Sequence, residues 1–105
     1  MKYAFKHERL DCYRLAVEIN RWLSKARFPA GRSHLRDQGL RASDSLVLNL
    51  AEGLGRSGKA RLNHLSIATA SAAECCAVLD LAQIAEASGQ QQKLRRVAAM
   101  LTKLR

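Results

Sequence analysis

The chain contains little cysteine, proline and aromatic residue, and each shortage narrows the class of protein. The single proline, Pro29, leaves long stretches able to form helices, and the abundant leucine and alanine favour helices over sheets. Aromatic side chains make up only 5% of the 105 residues, so few are available to stack on nucleobases. No uninterrupted apolar run of about 18 residues and no apolar N-terminal leader is apparent. We therefore predict a cytoplasmic protein that does not cross a membrane.

The cysteines and histidines form no pattern that indicates a metal site or a catalytic site. Cys75 and Cys76 are adjacent, and neighbouring helical side chains diverge by about 100°, so no disulfide between them is expected. His7, His34 and His64 show neither the spacing of zinc ligands nor a cysteine nearby that a base could activate. We predict that the protein is not an enzyme and uses no cofactor, metal or small-molecule substrate.

Positive charge is the strongest feature of the composition. Lys and Arg outnumber Asp and Glu by 18 to 9, which gives a net charge of +9. Residues 62–92 contain no Lys or Arg at all. A basic surface of this kind favours nucleic acid, RNA or DNA, bound through phosphates with little sequence preference, although it is also typical of an ordinary solvated face. The predicted contacts are Arg14, Arg21, Lys25, Arg56, Lys59, Arg61, Lys93, Arg96 and Lys103.

Apolar residues recur at helical spacing in four segments. We predict helices at 7–26, 33–54, 59–87 and 90–105, with breaks at Phe28–Gly31, at Gly53 and Gly55, and at Ser88–Gly89. Ser33 is the expected N-cap of the second helix, and the two glycines are expected to end it in a left-handed cap. Short connections predict one domain over 1–105, all-α, folded as an antiparallel up-down-up-down four-helix bundle.

The third predicted helix is apolar or small nearly all the way round. Such a helix is usually covered on more than one side, and one 105-residue subunit offers little room for that. We therefore predict a homo-oligomer. The face expected to meet another subunit consists of Leu62, Ser66, Ala70, Ala73, Ala77 and Asp80.

Four polar residues in the apolar segments are assigned structural roles. They are Arg41, Asn49, Glu52 and Glu74. The two glutamates are expected to be half-buried, where a carboxylate needs a cation or hydrogen-bond donors. An interhelical pair with Arg41 or Arg56 would supply the cation, and a place at the subunit contact is the other interpretation.

The segment 38–56 resembles the signature of four-helix-bundle proteins encoded within intervening sequences of 23S rRNA genes, relatives of the accessory variability proteins of diversity-generating retroelements. The resemblance covers about residues 5–104. Asp44 and Val47 depart from it. It implies a homopentameric ring of antiparallel bundles and, as an alternative function, an adaptor that docks a reverse transcriptase. The matching residues are Gln38, Arg41, Ala42, Ser45, Asn49, Ala51, Glu52, Gly53, Gly55 and Arg56.

Overall fold

The computed structural model describes residues 5–105, apart from the side chains of Lys6 and Arg9, and within that range it contains four α-helices and no β-strand. A short 3₁₀ helix, Lys6–Arg9, is followed by α1 (Asp11–Lys25), α2 (Ser33–Leu54), α3 (Gly58–Ala82) and α4 (Ala87–Leu104). The predicted all-α class and the four helices are confirmed. Residues 1–4 of the predicted domain lie outside the described residues.

The core lies between the four helices, and each helix packs against two others. α1 and α3 both contact α2 and α4, and the interface between α2 and α3 is the most extensive. Burying one large aliphatic side chain contributes about 2 kcal/mol, so the buried aliphatic side chains of the four helices provide most of the stabilisation. The packing is consistent with a helix bundle. The largest fully buried aliphatic side chains are Ile19, Leu23, Leu46, Leu50, Leu65, Leu79, Leu94, Leu101 and Val97.

The first helix begins later than predicted, and the second begins as predicted but without the expected cap. Leu10 has an extended backbone that separates the 3₁₀ helix from α1, so the first α-helix starts at Asp11 and not near residue 7. The 3₁₀ helix is held by the Glu8 carboxylate, which accepts a hydrogen bond from the Phe5 amide at 2.9 Å. Ser33 is the first residue of α2; the N-cap is Arg32, which makes no side-chain capping bond. The range of α2 agrees with the predicted 33–54.

The predicted boundary between α3 and α4 lies several residues too far toward the C-terminus. α3 ends at Ala82, where Gln83 adopts a left-handed conformation with φ 54° and its amide donates to the Leu79 carbonyl. The turn brings Ile84 and Ala87 against the core. Ser88 and Gly89, the predicted stop, lie instead in the first turn of α4. The sequence missed the turn because glutamine is an uncommon residue for positive φ and gives no signal.

The two glycines inside α2 allow α3 to approach closely. A Cβ at Gly39 would lie 3.2 Å from Val78 Cγ1, and a Cβ at Gly53 would lie 3.1 Å from both His64 Cβ and Leu65 Cδ2. The predicted left-handed cap at Gly53 and Gly55 is wrong, because Gly53 is helical and Gly55 has φ −86°. The positive φ in this connection belongs to Gly58, the first residue of α3.

α3 is more apolar than expected for a helix of a basic protein. By length and composition it could cross a membrane, which contradicts our reading that no such segment exists. However, 44% of its apolar window is buried within the fold, against the neighbouring helices, and core helices of globular proteins pass the same test. The feature is explained by packing on one side and by an uncovered apolar face on the other.

Two of the cysteines are core residues. Cys12 and Cys75 are 2% and 0% exposed, and no disulfide links the three thiols. Burial raises the pKa of the Cys75 thiol to about 12 and also raises the pKa of Cys12. Since the thiolate is the reactive form, these cysteines act as small apolar side chains.

Candidate nucleic-acid interface

The predicted phosphate contacts come from three parts of the fold and are mostly exposed. All except Arg61 and Lys93, which are half-buried, belong to the exposed surface. Three lie on α1, three at the start of α3 or just before it, and three on α4. Lys93 and Lys103 are ten residues apart on α4, about 15 Å along the helix axis. The predicted contacts are therefore distributed over three helices and along the length of α4.

One concentration of positive charge occurs where α3 begins and α4 ends. Arg61 Nε donates to the Leu104 carbonyl at 3.1 Å and so joins the two helix ends. Arg105, which sequence reasoning did not select, reaches Thr69 Oγ1 at 3.5 Å in the same region. Its position at the end of the chain offered no signal, because only the packing of α4 on α3 brings it close.

The predicted pair of Glu52 with Arg56 is present, but the expected burial of the two carboxylates is wrong. Glu52 and Glu74 are exposed, not half-buried. Glu52 Oε1 lies 3.0 Å from Arg56 Nη2, a pair four residues apart and not an interhelical one. The hydrogen bond and the charge of Arg56 lower the pKa of Glu52. Glu74 accepts a hydrogen bond from Gln38 Nε2 at 3.2 Å, while Arg41 is exposed.

Asn49 connects α2 to α3 through a histidine. Its Nδ2 donates to the Ser45 carbonyl at 2.9 Å, so its Oδ1 is the atom 2.9 Å from His64 Nδ1. Because an amide oxygen only accepts, His64 must carry a proton on Nδ1. Ser71 Oγ adds a 2.8 Å bond to Ser45 Oγ. These bonds fix the His64 ring, which sequence reasoning had not assigned to any site.

An open groove of about 1280 Å³ lies beside this network. We call it the α2–α3 groove; its walls include Phe5, His7, Asn49, Arg56, Arg61 and His64. Phe5 is 66% exposed, and its ring stacks on His7 with centroids 5.8 Å apart. The groove thus combines cationic, aromatic and hydrogen-bonding groups. Sequence reasoning missed it because the groups come from separate segments.

The predicted oligomer face is uncovered within the subunit. All six residues assigned to this face are exposed. Ile67 and Leu81 extend the apolar surface, with exposed fractions of 40% and 58%, and Leu62 is 47% exposed. Large apolar side chains in these positions mark a surface that is suited to contact with another protein.

These observations define a class, a small basic all-α protein with one apolar helix face and a polar network between α2 and α3. The family model described as 23S rRNA-intervening sequence protein matches residues 8–104, and the chain belongs to this family. The resemblance inferred from residues 38–56 is therefore confirmed. No curated protein and no solved structure was found to match the chain significantly.

Proposed function

We propose that the protein is a non-catalytic, homo-oligomeric four-helix bundle that binds nucleic acid through phosphate contacts, with little sequence preference. The observation that carries the proposal is the net charge of +9. Its cations all lie outside residues 62–92, and most of those whose side chains the structure describes are exposed. The family description refers to 23S rRNA, which favours an RNA-associated role. The charge itself suits RNA and DNA equally.

We infer that the bundle is antiparallel. Hydrogen bonds between neighbouring helices support this topology. From one bonded pair to the next, the residue number of the partner on one helix rises while that of the partner on the other helix falls. The pairs are Gln38–Glu74, Ser45–Ser71 and Asn49–His64 between α2 and α3, and Asp80–Gln91 and Arg61–Leu104 between α3 and α4.

The proposed oligomer covers the apolar face of α3. The small side chains of Ala70, Ala73 and Ala77 allow another helix to come close. Residues 62–92 contain no Lys or Arg, so they contribute no cation that an interface would have to desolvate. A ring of head-to-tail contacts would cover this face in every subunit. The family resemblance favours five subunits.

A triple variant in which Arg14, Arg21 and Lys25 of α1 are each replaced by glutamine is expected to bind nucleic acid more weakly without unfolding. All three side chains are exposed, so their loss removes phosphate contacts and leaves the core unchanged. On duplex DNA, the slope of log affinity against log salt should become shallower by about 3, close to one for each lost contact. Electrophoretic shifts over a salt series measure it.

The matched control replaces Arg27, Arg32 and Arg41 with glutamine. These arginines are also exposed, and the control has the same net charge as the test variant. It should retain most of the wild-type slope. An equal loss in both variants would mean that α1 is not the contact surface, and an absence of binding by the wild type at low salt would exclude the function.

An adaptor protein is the second candidate. The exposed Leu62, Ile67 and Leu81 could instead receive a different protein, such as a reverse transcriptase. A monomeric wild type would favour this function, because the apolar face would then remain available for that partner.

A further inference from the structure

The α2–α3 groove has the chemistry of a site for a single nucleotide. It is the place where the described residues bring arginines, an exposed aromatic ring and an oriented histidine together. We propose that this groove binds one unpaired nucleotide, with its phosphate at Arg56 and Arg61 and its base stacked on Phe5. The ligand is either a free nucleotide or an unpaired nucleotide of a nucleic acid, and only the second source rests on the proposed function.

The phosphate is assigned to the arginine side of the groove. Arg56 and Arg61 contribute two positive charges, and Glu52 contributes the one carboxylate among the lining residues. Glu52 lies 3.0 Å from Arg56 Nη2 and holds that guanidinium in place. Arg61 uses Nε to bind the Leu104 carbonyl, so the bond orients its guanidinium while the two terminal nitrogens can still donate. Two oriented guanidinium groups suit the oxygens of a phosphate.

The base is assigned to Phe5. One face of its ring stacks on His7 at an interplanar angle of 13°, and the ring remains 66% exposed. His7 in turn contacts Tyr13 edge to face, with centroids 4.6 Å apart. The ring is therefore positioned before any ligand arrives, and its open face can take a base. Leu48, which is 67% exposed, adds apolar surface to the groove.

His64 supplies a defined hydrogen-bonding group. Its Nδ1 is committed to Asn49 Oδ1 at 2.9 Å, so Nε2 is the ring nitrogen available to a ligand. A ribose hydroxyl can both donate and accept a hydrogen bond, so it can bind this nitrogen. A duplex base has its Watson–Crick edge paired and both faces stacked, so the groove selects an unpaired nucleotide.

Titration of the ¹⁵N-labelled protein with 5′-AMP tests the site by NMR. We expect shifts of amide signals confined to Phe5, Arg56, Arg61, His64 and their neighbours. Phe5→Ala and Arg61→Gln should each weaken AMP binding by about fivefold or more, because each removes one of the two main contacts. Phe5→Trp should retain binding, since it keeps a stacking surface. Arg27→Gln, an exposed arginine outside the groove, should bind AMP as the wild type does.

Two RNA duplexes of one sequence separate the sources of the ligand. One is blunt, and the other carries an unpaired 3′ adenosine. Because Arg56 and Arg61 are also predicted phosphate contacts of any duplex, the readout is the pair Phe5 and His64, which belong to the groove alone. Shifts of these two residues with the overhang but not with the blunt duplex support a nucleic-acid source, and shifts with AMP alone support a free nucleotide. If neither ligand shifts the groove, or if Phe5→Ala binds like the wild type, the inference is overturned. Blunt-duplex binding that persists in that case leaves the proposed function intact.

Discussion

An Ala73→Arg variant is expected to elute with the mass of one subunit, 11.6 kDa, while the wild type elutes as a multiple of it. Ala73 is exposed on α3 between Ala70 and Ala77, in the centre of the face that we propose as the subunit contact. An arginine there would be buried without a partner, and an unpaired buried charge costs about 3 kcal/mol or more. Light scattering coupled to size exclusion at micromolar concentration gives the masses.

The matched control for this variant is Ala99→Arg. Ala99 is an exposed alanine of α4, so the substitution adds the same charge on a helix outside the proposed contact. It should keep the mass of the wild type. A wild type with the mass of one subunit, or an Ala73→Arg variant that stays assembled, would refute the α3 interface.

A Gly53→Leu variant is expected to lower the free energy of unfolding by about 3 kcal/mol, the upper range for overpacking a core. Even a Cβ at Gly53 would lie 3.1 Å from His64 Cβ, an atom fixed by the α3 backbone, and 3.1 Å from Leu65, which is fully buried. A leucine must therefore separate α2 from α3 at their most extensive interface. Urea unfolding followed by circular dichroism measures the loss at a fixed protein concentration.

Gly89→Leu is the control for the glycine experiment. Gly89 lies in α4, and no heavy atom would come within 4 Å of a Cβ there. The substitution should raise stability slightly, by about 0.5–1 kcal/mol, since leucine favours a helix more than glycine does. If Gly53→Leu were as stable as the wild type, the close approach of α3 at Gly53 would be wrong.

The helices were predictable because each carries a regular apolar seam. In α2 the pattern of Leu35, Ala42, Leu46 and Leu50 specifies both the helix and its buried face, and all four residues are buried. Periodicity is a local property, so it can be read along one segment without knowledge of the rest. The turn at Gln83 was not predictable in this way, because tertiary packing places a non-glycine residue at positive φ there.

The candidate site was predictable only in part. The basic residues could be selected from the sequence, but their distribution over three helices could not. The bond between His64 and Asn49 joins residues 15 apart and depends on the register of α3 against α2. The groove likewise needs Phe5 to reach residues near 56 and 61, which no spacing along the chain indicates. Sites assembled from several segments require the structure.

The most direct test of the central claim is the salt dependence of wild-type binding to duplexes of unrelated sequence. If phosphate contacts dominate, log affinity should fall linearly with log salt, with a slope of about −4.5 or steeper for five or more contacts. Unrelated duplexes should bind within about tenfold of one another, because phosphate contacts carry no sequence information. An affinity that does not change between low and physiological salt, or that depends strongly on one sequence, would contradict the proposed function.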